Sequence, residues 1–406
     1  MRIGRTLPPA AAPLTLKTIL CGLRGLMDGQ AAVERFSSSL RKHFQMRYCF
    51  LVSSGAAALA IILKAARQLQ PHRNLVLIPA YTCHSVPASI KRAGLDICPC
   101  DIDPATLDFD RQKLAGTILK YRERLLAVVP THLFGLPADV EGIKKIIAQD
   151  NILVVEDAAQ AMGSKGARGY LGCLGDVGFF SLGRGKAFSA MGGGVIITND
   201  KKLAAEIAGQ VDRCAEPSLF KILRSVAVTL FVFCFSRPAL FWLPKSMPFL
   251  RLGETIYDTA FEMDQLSPFQ AGLAAGWEDR LDHAQSERQA NACFWMRAMH
   301  SLGSVNGIKF PTCMPNLIRY PLYLEKNKVR EALLNKSNRQ GLGIMGAYPG
   351  AVTQIAQLQK ELAGFDSVKA QQVARALVTL PTHSWMTAMD RHRIAAALSE
   401  AAAHTG

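Results

Sequence analysis

Two apolar runs in the middle of this chain each lead to a residue that can do chemistry. Ile152-Leu153-Val154-Val155 leads to Glu156-Asp157-Ala158-Ala159-Gln160, and Val177-Gly178-Phe179-Phe180-Ser181 leads through Leu182-Gly183-Arg184-Gly185 to Lys186. Short runs of this kind fit strands buried on both faces of a parallel sheet. Asp157 then stands just beyond the end of its strand, where open α/β sheets hold ligands. Lys186 lies past the end of the next strand, with glycines on both sides that let the backbone bend close to a ligand. Such a lysine can form a Schiff base, and an aspartate facing it can keep a pyridine nitrogen protonated. Those are the two groups that make pyridoxal 5′-phosphate an electron sink.

A phosphate needs its own donors. The run Cys49-Phe50-Leu51-Val52 is followed by the small residues Ser53-Ser54-Gly55-Ala56-Ala57-Ala58, then by Leu59, Ile62, Leu63 and Ala66 at helical spacing. This order predicts a strand, a turn and a helix start. Free N–H groups and the dipole at that start favour a dianion, and side chains no larger than Ser or Ala let it approach. Each piece alone has a plainer reading: close helix packing, an ordinary aspartate cap, a solvated lysine. Their order and spacing together favour the cofactor.

These residues resemble a known family, the sugar aminotransferases of the DegT/DnrJ/StrS type, which have the fold of type I pyridoxal-phosphate enzymes. The resemblance runs from Ser53-Ser54-Gly55-Ala56-Ala57-Ala58-Leu59 through Pro79-Ala80-Tyr81-Thr82, Asp101-Ile102-Asp103 and Pro130-Thr131-His132-Leu133-Phe134-Gly135 to Glu156-Asp157-Ala158-Ala159-Gln160. It continues with Ser181 before Lys186 and with Leu380-Pro381-Thr382-His383. It implies an α/β fold, with a mainly parallel wound sheet in a large domain and a smaller α+β C-terminal domain. By the resemblance, Lys186 carries the Schiff base and shuttles the proton, Asp157 pairs with the pyridine nitrogen, and Gln160 contacts the ring's oxygen substituent. Ser181 joins the turn of Ser54, Gly55 and Ala56 at the phosphate. The activity implied is transfer of an amino group, often from glutamate, to a nucleotide-linked keto-sugar used in cell-surface polysaccharide or related glycoconjugates. The implied assembly is a cytoplasmic homodimer with its active sites at the interface.

Three positions depart from that pattern. Ala56 replaces the usual Thr and removes a phosphate-binding hydroxyl. Cys83, beside His84, stands where a large aromatic often covers the cofactor ring. Met263-Asp264-Gln265-Leu266 stands where Asn-Tyr-Arg-Met is usual, so a contact across the dimer is not carried over. Cys83 with His84 also admits a thiol nucleophile, although adjacent side chains rarely aim at one another.

The elements that must position these groups have room to form, since 406 residues at 49% hydrophobic can bury a large core. We expect an N-terminal arm over residues 1–29, a large cofactor-binding domain over 30–260, and a small domain over 261–406. The net charge of +15 attracts anions such as nucleotide sugars or acidic lipid. No nucleic-acid-binding motif accompanies it, so nucleic acid is not an expected partner. The ten cysteines and nine histidines show no metal spacing; no metal site is expected, and the thiols read as reduced and cytoplasmic. Gly341-Leu342-Gly343-Ile344-Met345-Gly346 matches a dinucleotide fingerprint only as a string, because it follows polar residues and opens no helix.

Leu219 to Leu250 is the odd segment, and against the family pattern it looks like an insertion. Its apolar run is broken by Arg237-Pro238 and falls short of the ~20 apolar residues that span a bilayer. It reads either as a buried helical hairpin or dimer contact, or as a peripheral docking element for the inner face of a membrane. Lys221, Arg224, Arg237, Lys245 and Trp242 support the second reading, which would give access to a lipid-linked or membrane-delivered substrate. Three alternatives stand beside aminotransfer to a nucleotide-linked sugar, the first a pyridoxal-phosphate-fold protein acting on a non-sugar or lipid-linked carbonyl. Sugar dehydration on the same cofactor would call for a histidine in place of Lys186. A non-catalytic regulatory or membrane-associated homologue is the third.

Overall fold

The first half of the chain forms one sheet from apolar runs, with two short hairpins beside it. The strands are β1 (Tyr48–Val52), β2 (Leu75–Pro79), β3 (Asp96–Cys100), the hairpin β4 and β5 (Ile102–Asp103 and Asp108–Phe109), β6 (Leu125–Val128), β7 (Leu153–Asp157), the hairpin β8 and β9 (Lys165–Gly166 and Gly169–Tyr170), β10 (Val177–Ser181) and β11 (Gly194–Thr198). Apart from the two hairpins they align in the order β1-β11-β10-β7-β6-β2-β3. Pairing is parallel from β10 to β3, while β11 runs antiparallel to both β10 and β1. This computed structural model describes residues 3–148, 150–247, 255–301, 308–311, 314–324 and 326–403.

Strand side chains alternate between the faces, and each face has its own core. Val76, Ile78, Val155 and Phe179 join one cluster with the helix Gly55–Leu69, whereas Leu75, Leu77, Val128 and Val154 join another. Asp157 is the last residue of β7 rather than the first beyond it, because it pairs with Phe179 and Thr131 bridges to it from the other side.

A smaller lobe follows. The 25-residue helix Trp277–Ser301, about 37 Å long, packs Trp277 and Leu281 into the large lobe and Trp295 into the small one. There β12 (Arg319–Tyr323), β13 (Met345–Gly346) and β14 (Leu377–Pro381) form an antiparallel sheet ordered β12-β14-β13. The glycine run after Gln340 has the reverse of dinucleotide-binding topology: helix Asn327–Gln340 ends on Gly341, at φ 66°, and a strand follows.

The expected arm and the expected insertion each have defined contacts or helices. Residues 5–12 cross the small lobe before the helix Leu16–Asp28 begins. Arg5 pairs with Asp390 (2.6 Å), Leu7 N–H donates to Gly341 O (2.9 Å), and His383 Nε2 lies 2.8 Å from Pro8 O. The expected insertion folds as one helix, Leu219–Phe235, capped by Ser218, and a short helix Trp242–Lys245. The break between them follows from Pro238, which cannot continue a helix. Of the long helix only Thr229 is fully buried, so the segment is not a hairpin buried within the chain. Residues 248–250, at its expected end, lie outside the described residues, as does Cys313. No described helix is long and apolar enough to cross a membrane.

Candidate active site

The helix start after β1 and the turn after β10 meet. Ser54 caps the helix, its hydroxyl accepting from Ala57 N–H (3.0 Å), and Ala58 N–H donates to Ser54 O (2.9 Å). The Gly55 and Ala56 N–H groups, in the first turn, have no acceptor within the helix. A Cβ added to Gly55 would stand 2.9 Å from the Ser181 Cβ and 3.3 Å from its Oγ, so only glycine lets the two segments come this close. A Cβ on Gly183 would lie 3.4 Å from Ser181 Oγ and 3.9 Å from Lys186 Cγ. Gly55, Ser181, Gly183 and the Lys186 side chain are thereby brought close to one another. Ala56 brings no hydroxyl there, and Ser54 serves as the cap.

Asp157 is buried, and its Oδ1 accepts from Ala159 N–H (3.0 Å). Burial pushes its carboxyl up; the Ala159 N–H, Lys186 and His132 act in the opposite direction. A buried carboxylate with so few donors is suited to a cationic N–H. Its neighbour Glu156 is differently placed. Burial would raise it too, but His132, 2.8 Å away, and the N–H groups of Gly175 and Gly172 outweigh that and hold it below the usual carboxylate range. Leu174 N–H also donates to it. His132 N–H in turn donates to Asp157 O (3.0 Å). Glu156 is therefore a positioning group that fixes the 172–175 turn and the loop beside Asp157.

A cavity of about 490 Å³ opens next to this constellation. Cys83, Gln160 and Lys186 lie in its wall; Ser54, Gly55, Ala56, Asp157 and Ser181 do not. Gln160 is held at both ends of its amide, accepting from Phe134 N–H (2.9 Å) and donating to Tyr348 Oη (2.6 Å). Phe134 and Met191, both in the wall, hold φ near +60°, which side chains bearing Cβ adopt at a cost. Cys83 accepts from Ser85 Oγ (3.1 Å) and is half-buried.

Several wall residues escaped sequence reasoning. Tyr348 lies in the wall and exchanges hydrogen bonds with Tyr81, and burial raises its phenol far above the usual range. Arg319, at the start of β12, has a buried Nε without a partner, and its Nη1 lies 3.2 Å from the Met345 sulfur. Burial lowers its pKa, and the Tyr348 hydroxyl opposes that. Pro8 to Ala12 and part of the Leu219–Phe235 helix complete the wall. Arg288, also buried, ties three of the pieces together, donating to Ala187 O (2.6 Å), Lys186 O (3.2 Å) and Ala11 O (3.3 Å).

The chain resembles known proteins along most of its length. It is 27% identical over 282 residues to the L-glutamine:2-deoxy-scyllo-inosose aminotransferase of Micromonospora echinospora, covering 69% of this chain and 60% of that one. It is 28% identical over 176 residues to the GDP-4-keto-6-deoxy-D-mannose 3-dehydratase of Yersinia pseudotuberculosis, covering 42% of this chain and 44% of that one. The chain thus spans about half the length of these curated relatives. In fold it matches Helicobacter pylori PseC, an aminotransferase involved in the biosynthesis of pseudoaminic acid. The TM-score is 0.76 at 16% identity, covering 98% of this chain and 100% of that one. The sequence profile of one family matches residues 19–227 and 251–399. With the sheet, the small lobe and the Lys186 turn all inside those stretches, the chain belongs to the DegT/DnrJ/EryC1/StrS aminotransferase family.

Proposed function

We propose that the chain is a pyridoxal-phosphate-dependent aminotransferase that moves an amino group, with glutamate as donor, to a keto-sugar. The observation that carries this reading is the approach of Gly55, Ser181, Gly183 and Lys186 to one another beside a buried, donor-poor Asp157. The residues fit the cofactor at each end: Gly55 and Ala56 N–H with the Ser181 hydroxyl for the phosphate, Asp157 for the pyridine nitrogen, and Lys186 for the aldehyde carbon. When bound, the cofactor supplies an electron sink for the carbon that loses or gains the amino group.

The remaining work belongs to side chains. Asp157 holds its partner N–H protonated in a site that burial isolates from water. The Lys186 amine takes the proton from the donor's α-carbon and returns it on the other side of the transfer. Arg319 suits the donor's carboxylate, because its guanidinium is partly sequestered and has no carboxylate partner among the described residues. Gln160, clamped by Phe134 and Tyr348, presents a fixed amide to the cofactor's oxygen substituent. A lysine at position 186 speaks against dehydration. The proposed assembly is a cytoplasmic homodimer, supported by the exposed stripe of Leu16, Leu20, Leu23 and Met27 on the first helix. The exposed apolar residues of the Leu219–Phe235 helix support peripheral contact with the inner face of a membrane.

The test is Lys186→Ala. Borohydride reduction of the wild type followed by peptide mapping should mark Lys186 alone, and the variant should keep its fold but lose donor-dependent turnover by ~10²–10⁴-fold, the range for a positioned proton-transfer group. A mark on another lysine, or a variant with near wild-type turnover, overturns the proposal.

A further inference from the structure

One face of the Leu219–Phe235 helix runs from the outside of the molecule into the cavity. Phe220, Leu223, Ala227, Phe231 and Phe235 follow one another at three- and four-residue steps, which places them on one stripe about 22 Å long. Phe220, Leu223 and Phe231 are exposed, while Phe231, Val232 and Phe235 are also in the cavity wall. The Phe231 and Phe235 rings are in contact, with centroids 4.8 Å apart, and Phe241, Pro244 and Ala10 to Ala12 extend the apolar lining. The same wall carries Arg184, Lys245, Arg319 and Lys186 and, among the described residues, no acidic side chain. The family profile stops at residue 227 and resumes at 251, so the inner end of the stripe lies outside the profile match.

We propose that the keto acceptor is amphipathic: a sugar phosphate linked to a hydrocarbon chain, with the phosphate between Arg184 and Lys245 and the chain lying along the stripe. This rests on the aminotransferase reading and names its acceptor class. A nucleotide carrier would account for the cations, but not for an apolar track that leaves the cavity and continues over the surface. A bilayer could deliver such an acceptor, with its chain already against the helix.

The test measures binding of non-reacting probes to the cofactor-loaded enzyme by calorimetry, below their micellar concentrations. Decyl phosphate should bind about 50-fold more tightly than methyl phosphate, from partial burial of its extra methylenes, and more tightly than uridine diphosphate. Phe231→Ser with Phe235→Ser should reduce the chain-length preference to under about 5-fold by the same account. Should that variant lose the bound cofactor's colour, Leu223→Ser with Ala227→Ser, outside the cavity, carries the same expectation of a reduced preference. The proposal is overturned if chain length has no effect, if uridine diphosphate binds most tightly, or if the outer variant turns a dimer into monomers with the preference intact. Bleaching of the cofactor by glutamate needs no acceptor, so the aminotransferase reading stands or falls separately.

Discussion

Acidification should loosen residues 5–12 through one histidine. His383 is 1% exposed, its Nε2 lies 2.8 Å from Pro8 O, and its Nδ1 is buried without a partner. Burial is the main cause that lowers its pKa from 6.5 to about 4, aided by the Arg288 and Arg5 charges and opposed by the Pro8 carbonyl and Asp390. The unfolded chain binds a proton at His383 as pH falls through 6.5, whereas the folded chain does not until about 4. Between those values the unfolded state carries more protons, so stability falls as pH falls. At about pH 4.5 the loss relative to neutral pH is roughly 2.5 kcal/mol from this group alone. Chemical denaturation of the wild type and of His383→Gln, which keeps an N–H for Pro8, isolates the effect. The variant should start less stable or equal at neutral pH and lose ~2 kcal/mol less on acidification. Parallel losses in the two proteins would mean that His383 is not held neutral against Pro8.

Two further substitutions probe the site directly. Gly55→Ala puts a Cβ 2.9 Å from the Ser181 Cβ, an atom fixed to its own backbone, so it should destabilise the protein by ~1–3 kcal/mol and weaken cofactor binding; unchanged denaturation and cofactor titration would show that the two segments do not touch. Arg319→Gln should raise KM for the amino donor by ~10–100-fold, the range for a lost charge-assisted bond, with Arg319→Lys recovering part of it, and an unmoved KM would remove Arg319 from the donor site.

Much of this architecture could be read from residue order, and the reason is local. Strands β7 and β10 announce themselves as apolar runs, and Lys186 follows within a few residues, so strand ends and chemistry are encoded together. Ser54 was legible as part of a turn, but its role as a cap needed the geometry of Ala57 N–H. Arg319, Tyr348 and Pro8 were not legible as cavity residues. Each is brought to Lys186 by packing between lobes far apart in sequence, and no periodicity records such an approach. The Leu219–Phe235 helix was legible as apolar; that it contributes to the cavity wall depends on the turn at Pro238, whose carbonyl accepts from Thr6 N–H (2.7 Å).

The docking of residues 5–12 has a consequence for synthesis. His383 and Pro8 are 375 positions apart, and Arg5 and Asp390 are 385 apart. At ~5–20 residues per second the ribosome needs about 20 to 75 s to make the intervening chain. During that time the large lobe can fold, while Pro8 to Ala12 lack the surface that places them in the cavity wall. The Lys186 turn is therefore assembled early and enclosed late, and a nascent chain would carry an accessible lysine until His383 and Asp390 emerge.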